Sequence, residues 1–148
     1  MASWGEFEKA EPEFAAKVQA LFDAGRHKTI ATVRADGAPR ISGIECVIAD
    51  GNLTIGSMGS ARKGADLKRD PRFALHGPTF HPVEGKEGEW PGEVKVAGTV
   101  TLTESSPEAD MFVADITEVA FTHLNPEASR LVVEWWTPVK GYQQIERD

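Results

Sequence analysis

The chain has 148 residues, with 16 Lys+Arg against 23 Asp+Glu and a formal net charge of −7. At 41% hydrophobic and 26% charged residues it has the composition of a globular domain, and its acidic balance excludes a general binder of nucleic acid or anionic membranes, which needs a positive face. The one cysteine, Cys46, allows no internal disulfide and no cysteine-based zinc site, and no apolar run reaches the ~18–20 residues of a membrane span.

The acidic start, MASWGEFEKAEPEF, has no basic segment ahead of a hydrophobic one, so no signal peptide is visible and a single cytoplasmic domain over 1–148 is expected. Residues 1–25 read as a helical lead. Pro12 sits like a first-turn proline, Phe14, Val18, Leu21 and Phe22 form one apolar stripe, and Gly25 is a stop. Residues 28–34 (KTIATVR) are rich in β-branched types, and Asp36-Gly37 marks a turn. Residues 39–49 (PRISGIECVIA) read as one strand, returning through Asp50-Gly51-Asn52 into 53–58, so a three-stranded meander is predicted. Ser60 is placed to cap a short helix anchored by Leu67 and ended by Asp70-Pro71. Strand character resumes at 72–77, and the polar stretch 78–92 makes a loop. A long strand follows at 93–103, where Gly98 predicts a bulge or a close backbone approach. A helix is predicted around 107–115, then strands near 117–124, 130–136 and 142–146. The sum is a mainly β, antiparallel barrel of six to eight strands with a few short peripheral helices, because closure removes exposed sheet edges.

The stretch Gly56-Ser57-Met58-Gly59-Ser60-Ala61-Arg62-Lys63 joins a strand to a helix. Arg62 and Lys63 fall in the first helical turn, which is already partly positive, so they are unfavourable there unless an anion joins them. Ser57 and Ser60 add hydroxyls, while Gly56 and Gly59 let the backbone come close to a ligand. Fixed N–H groups, hydroxyls, a guanidinium fork and an ammonium suit a phosphate monoester. From 62 to 72 five cations (Arg62, Lys63, Lys68, Arg69, Arg72) face Asp66 and Asp70, a local excess of +3 in an acidic chain. A solvated helix face is the competing reading.

The order PRISGIEC, hairpin, GSMGSARKGADL and DPRFAL resembles the flavin-binding split β-barrels of the pyridoxamine 5′-phosphate oxidase-like superfamily. Ala61-Arg62-Lys63 and Leu67 fill a motif like S-R-K-x-x-x-L, and Asp70-Pro71-Arg72-Phe73-Ala74-Leu75 fills the next. The resemblance implies FMN, its phosphate on Arg62, Lys63 and Ser57 and its ring along Ser42, Gly43 and Ile44. It further implies a homodimer with the cofactor at the interface, where Trp136, one of an adjacent pair with Trp135, reaches the flavin. The sequence departs from the oxidases that give the superfamily its name. Ser42 replaces a basic residue, Val47 replaces a substrate-binding lysine, and VVEWWTPVKGYQQIERD lacks the terminal R-L-H-D-R signature. The cofactor end is kept and the vitamin-substrate end is not.

The implied function is that of an FMN-dependent oxidoreductase transferring hydride to or from a small molecule. Alternatives are a deazaflavin-dependent reductase, its acidic tail on Lys68 and Arg69, or a non-enzymatic flavin- or haem-binding protein with His76 as a conceivable haem ligand. No catalytic side chain is singled out, since a flavin carries the reacting atoms itself. No metal site is read either: His76 and His81 share no strand or helix periodicity. Cys46, in an apolar strand, reads as a small buried hydrophobe.

Overall fold

The computed structural model describes all 148 residues. In chain order the elements are α1 (Trp4–Ala10), α2 (Pro12–Asp23), β1 (Lys28–Val33), β2 (Pro39–Ile44), β3 (Cys46–Ala49), β4 (Asn52–Met58), α3 (Arg62–Arg69), β5 (Arg72–His76), β6 (Glu93–Ser105), β7 (Ala109–Leu124), β8 (Leu131–Thr137) and β9 (Gly141–Arg147). All pairings are antiparallel, in the order β2-β1-β5-β6-β7-β4-β3, with β8 on β7 and β9 on β8.

β2 and β3 are the two ends of that path, yet only Glu45 separates them in the chain. The sheet must therefore curl until its ends meet. No ladder closes it: β2 pairs with β1 alone and β3 with β4 alone. The result is a split barrel whose seam is crossed by the chain at Glu45. This corrects two sequence expectations, the single strand over 39–49 and the meander. Ile44 is buried, Glu45 exposed and Cys46 buried, so the alternation runs through the break undisturbed; what changes there is the neighbouring strand, which periodicity does not record.

The helical lead is two helices. Ser3 caps α1 in a capping box with Glu6, and Pro12 opens α2. Their apolar faces join the sheet interior in one core. Phe7 packs at 4.9 Å from Trp136 and edge-on to Trp4 and Phe14. The predicted helix over 107–115 is instead the start of β7, where Asp110, Phe112, Ala114 and Ile116 are buried on alternate positions. The apolar run Met111–Ala114 places hydrophobic side chains on both faces of β7, with Met111 and Val113 half-buried, so the sequence there carries no clean alternation to mark the strand. Gly98 does what its place in the strand predicts. The β6–β7 register shifts between Ala97 and Gly98, and a Cβ at 98 would stand 1.9 Å from the Asp115 carbonyl oxygen. The hairpin at Asp50-Gly51 has positive φ at both residues (53° and 77°), as its sequence predicts.

Candidate functional site

The seam opens into a groove of about 650 Å³. One wall is His27 with Gly43, Ile44, Glu45, Cys46 and Val47; Thr54, Gly56, Ser57 and Met58 of β4, Ala109 and Met111 of β7 and Lys63 of α3 also line it. Five predicted residues, Gly43, Ile44, Gly56, Ser57 and Lys63, thus share one concavity although they come from three elements. The backbone at Gly43 faces open space, with no atom within 4 Å of where a Cβ would stand. Ser42 and Arg62 adjoin the groove in sequence without lining it.

Trp136 belongs elsewhere. It is buried in the core against Phe7, while Trp135 points to the other face of β8 and is half-buried. The assignment of Trp136 as a cofactor contact across an interface is therefore corrected: adjacent strand residues face opposite ways, and the core took this one.

α3 begins beside β4. Its N-cap is Ala61, with no side-chain cap, so Ser60 does not cap the helix as expected. Ser60 instead turns the chain in the left-handed region (φ 68°), and Gly59 fits under Pro107, whose carbonyl oxygen would lie 1.9 Å from a Cβ at 59. The first turn of α3 consequently keeps N–H groups unused by any side chain. Ser57 is 3% exposed, and its hydroxyl has only a long 3.4 Å contact to the Met58 carbonyl. A buried hydroxyl with so weak a partner, an ammonium lining the groove and an uncapped helix start fit a phosphate group.

Charge pairing sharpens the picture. Of the five cations over 62–72, three are held internally: Lys68 on Asp110 (3.0 Å), Arg69 on Asp66 (2.9 Å) and Arg72 on Asp70 (2.7 Å). Arg62 and Lys63 form no ion pair. Burial would raise the Asp66 carboxyl, but hydrogen bonds from Arg40, Thr32 and Arg69 outweigh it and hold it below its usual range. Hydrogen bonds from Ser105 and Lys68 lower Asp110 likewise, and those from Arg72 pull Asp70 down to about 2. The sequence reading missed Asp110, which its false helix had hidden, and the Arg40–Asp66 contact, which no local spacing announces.

The other candidates resolve by geometry. Both ring nitrogens of His76 meet oxygens, Nδ1 the Gly77 carbonyl (2.6 Å) and Nε2 Glu93 (3.0 Å). Those of His123 meet the Leu124 carbonyl (3.0 Å) and Glu134 (2.7 Å). The histidine lining the groove is His27. Cys46 is buried, and desolvation pushes its thiol up to about 11 against the opposing pull of Lys28. No helix is long and apolar enough to cross a membrane.

The molecule is thus a split β-barrel with a cationic corner in its seam. The family model described as pyridoxamine 5′-phosphate oxidase matches residues 14–144, and the chain belongs to that family. Among solved structures, it is similar to a pyridoxamine 5′-phosphate oxidase-related, FMN binding protein from Nostoc punctiforme PCC 73102 (TM-score 0.65, 10% identity, covering 93% of this chain and 96% of that one). It is also similar to a heme binding protein from Mycobacterium smegmatis (TM-score 0.58, 12% identity, 88% and 86%) and to an F420 reductase (TM-score 0.50, 17% identity, 67% and 92%). No curated protein matches by sequence. At such identities the likeness is one of fold, and the ligand has to be argued from this chain's own residues.

Proposed function

We propose that this protein binds FMN in the seam groove and acts as an oxidoreductase on a small molecule. The observation that carries this reading is the pair Arg62 and Lys63, the only cations of the basic window without an internal carboxylate, at an uncapped helix start beside Ser57. Two free cations and a hydroxyl match one phosphate monoester. The ring end of the ligand would lie along Gly43 and Ile44, where bare backbone faces the groove. Bound FMN would supply hydride chemistry; the protein's part is to hold the phosphate, orient the ring against β2 and keep water from it. No acid–base dyad is required of the protein, since the flavin carries the reacting atoms.

The same accounting bears on the alternative. An acidic deazaflavin tail would draw on Lys68 and Arg69, and both are engaged with buried Asp110 and Asp66. This favours FMN. The groove is open along one side, with Val47 61% and Met58 77% exposed at its rim. We assign that rim to a second copy of the chain, giving a homodimer with the cofactor between the subunits. The lone buried thiol suits a reducing cytoplasm.

The test is the visible spectrum of the purified protein, with mass spectrometry of what it releases on denaturation. The expected result is a yellow protein releasing FMN, followed by bleaching in stopped-flow mixing with a nicotinamide donor. A colourless protein that takes up no FMN overturns the reading; a Soret band points to haem, and deazaflavin absorption to the reductase alternative. Light scattering at micromolar concentration tests the dimer, which a monomer mass would refute.

A further inference from the structure

The seam has no ladder between β2 and β3, so backbone hydrogen bonds do not fix the width of the groove. A side chain does. Asp66, 2% exposed, lies one turn along α3 from Lys63. Its Oδ2 accepts from Arg40 Nε of β2 (2.7 Å) and from Thr32 Oγ1 of β1 (2.8 Å). Its Oδ1 accepts from Arg69 Nη2 (2.9 Å), and the same Arg69 nitrogen donates to the Val33 carbonyl of β1 (3.1 Å). Arg40 is on the strand that carries Gly43 and Ile44, about 10 Å further along at ~3.3 Å per residue. One buried carboxylate therefore joins the helix that presents Lys63 to the strand that forms the facing wall.

The remaining ties of α3 do not reach β2. Lys68 pairs with Asp110 of β7, and Gly64 is pressed so close to β4 and β7 that a Cβ there would be 2.9 Å from Ser57 Oγ and 3.2 Å from Asp110 Oδ2. These contacts seat the helix on one side of the seam; Asp66 spans it. Well-packed apolar residues commonly replace buried ion pairs without loss of stability, so a buried carboxylate at such a junction asks for a role beyond cohesion.

Resting on the phosphate reading above, we infer that Asp66 is a positioning residue: through Arg40 it sets the distance between the phosphate-binding turn of α3 and the β2 wall, and so decides whether phosphate and ring engage together. The readout is the ratio of affinities for FMN and riboflavin, which lacks the phosphate and makes no demand on α3. In the wild type FMN is expected to bind about 100-fold more tightly. In Asp66→Asn and, separately, Arg40→Met the ratio should fall at least about tenfold, with riboflavin affinity kept within about twofold. Arg69→Met, which removes the Val33 contact and one Asp66 hydrogen bond but leaves Asp66 joined to Arg40 of β2 and Thr32 of β1, should leave the ratio near wild type while lowering the melting temperature. An unchanged ratio in folded Asp66→Asn and Arg40→Met overturns the inference, and so does an equal fall in Arg69→Met, which would mean general loosening. Should Asp66→Asn not fold, Arg40→Met decides; failure of both to fold makes the role purely structural and overturns it too. A wild type that binds FMN no better than riboflavin instead refutes the phosphate reading itself, and this inference with it.

Discussion

The double substitution Arg62→Ala, Lys63→Ala isolates the proposed phosphate site from the rest of the basic window. Neither side chain makes an ion pair, so the fold should not notice their removal. A hydrogen bond to a charged group contributes about 1.5–3 kcal/mol, so two such groups on one phosphate amount to about 3–6 kcal/mol. Arg62 is exposed and Lys63 half-buried; solvent screening pulls the sum to its low end, and a loss of roughly 100- to 1000-fold in FMN affinity is expected. The assay is flavin fluorescence on titration, with thermal melting of the apoprotein in parallel. Arg72→Ala is the matched control. It removes a cation from the same window, but one already held by Asp70 and outside the first turn of α3, so it should leave affinity unchanged. Equal affinities for the double variant and the wild type would refute the assignment, and equal losses in the double variant and Arg72→Ala would reduce it to a general field effect.

Three further outcomes follow from the packing and the titrating groups. Trp136→Ala should cost about 3–5 kcal/mol in urea denaturation, because the indole fills the core against Phe7; a weakened flavin affinity with unchanged stability would restore it as a cofactor contact. Cys46, raised to about 11, should have only about one part in 1,000 as thiolate at pH 8. A thiol reagent should then react at least about 100-fold more slowly with native than with denatured protein, and comparable rates would contradict the burial. Asp66 and Asp110 are both held below the ordinary carboxylate range. Their contribution to stability is full above the unfolded value of about 4 and is lost as pH falls through the lower folded values. The melting temperature should therefore be level from neutrality to about pH 5 and decline below about pH 4, less steeply in Asp66→Asn; an equal decline in that variant would remove Asp66 as a cause.

Much of the candidate site was legible because its signal is local. Ser57, Arg62 and Lys63 sit within seven consecutive residues, and the positive helix start makes their clustering unfavourable without an anion. The turn at Asp50-Gly51 and the bulge at Gly98 were likewise announced by residues whose backbone freedom the positions demand. Errors arose wherever the deciding contact was distant. The 107–115 segment reads as a helix because its apolar residues 111–114 run together without a clean alternation, and β4, one of the strands it pairs with, lies 51 to 59 residues back along the chain.

By itself, then, the sequence determined a small antiparallel β protein with one phosphate-sized basic corner in an acidic chain, since strand alternation, turn residues and charge clustering are properties of neighbours along the chain. Only the tertiary structure decided which cations are free. Lys63 and Lys68 are the same residue type five positions apart, but Lys68 finds Asp110 across the fold and Lys63 faces the groove. Tertiary structure also decided that 39–49 is two strands, that Trp136 packs inward, and that Asp66 ties α3 to the facing wall. Each depends on which strands become neighbours when the sheet curls, and that is settled by the burial of the whole core rather than by any stretch of it.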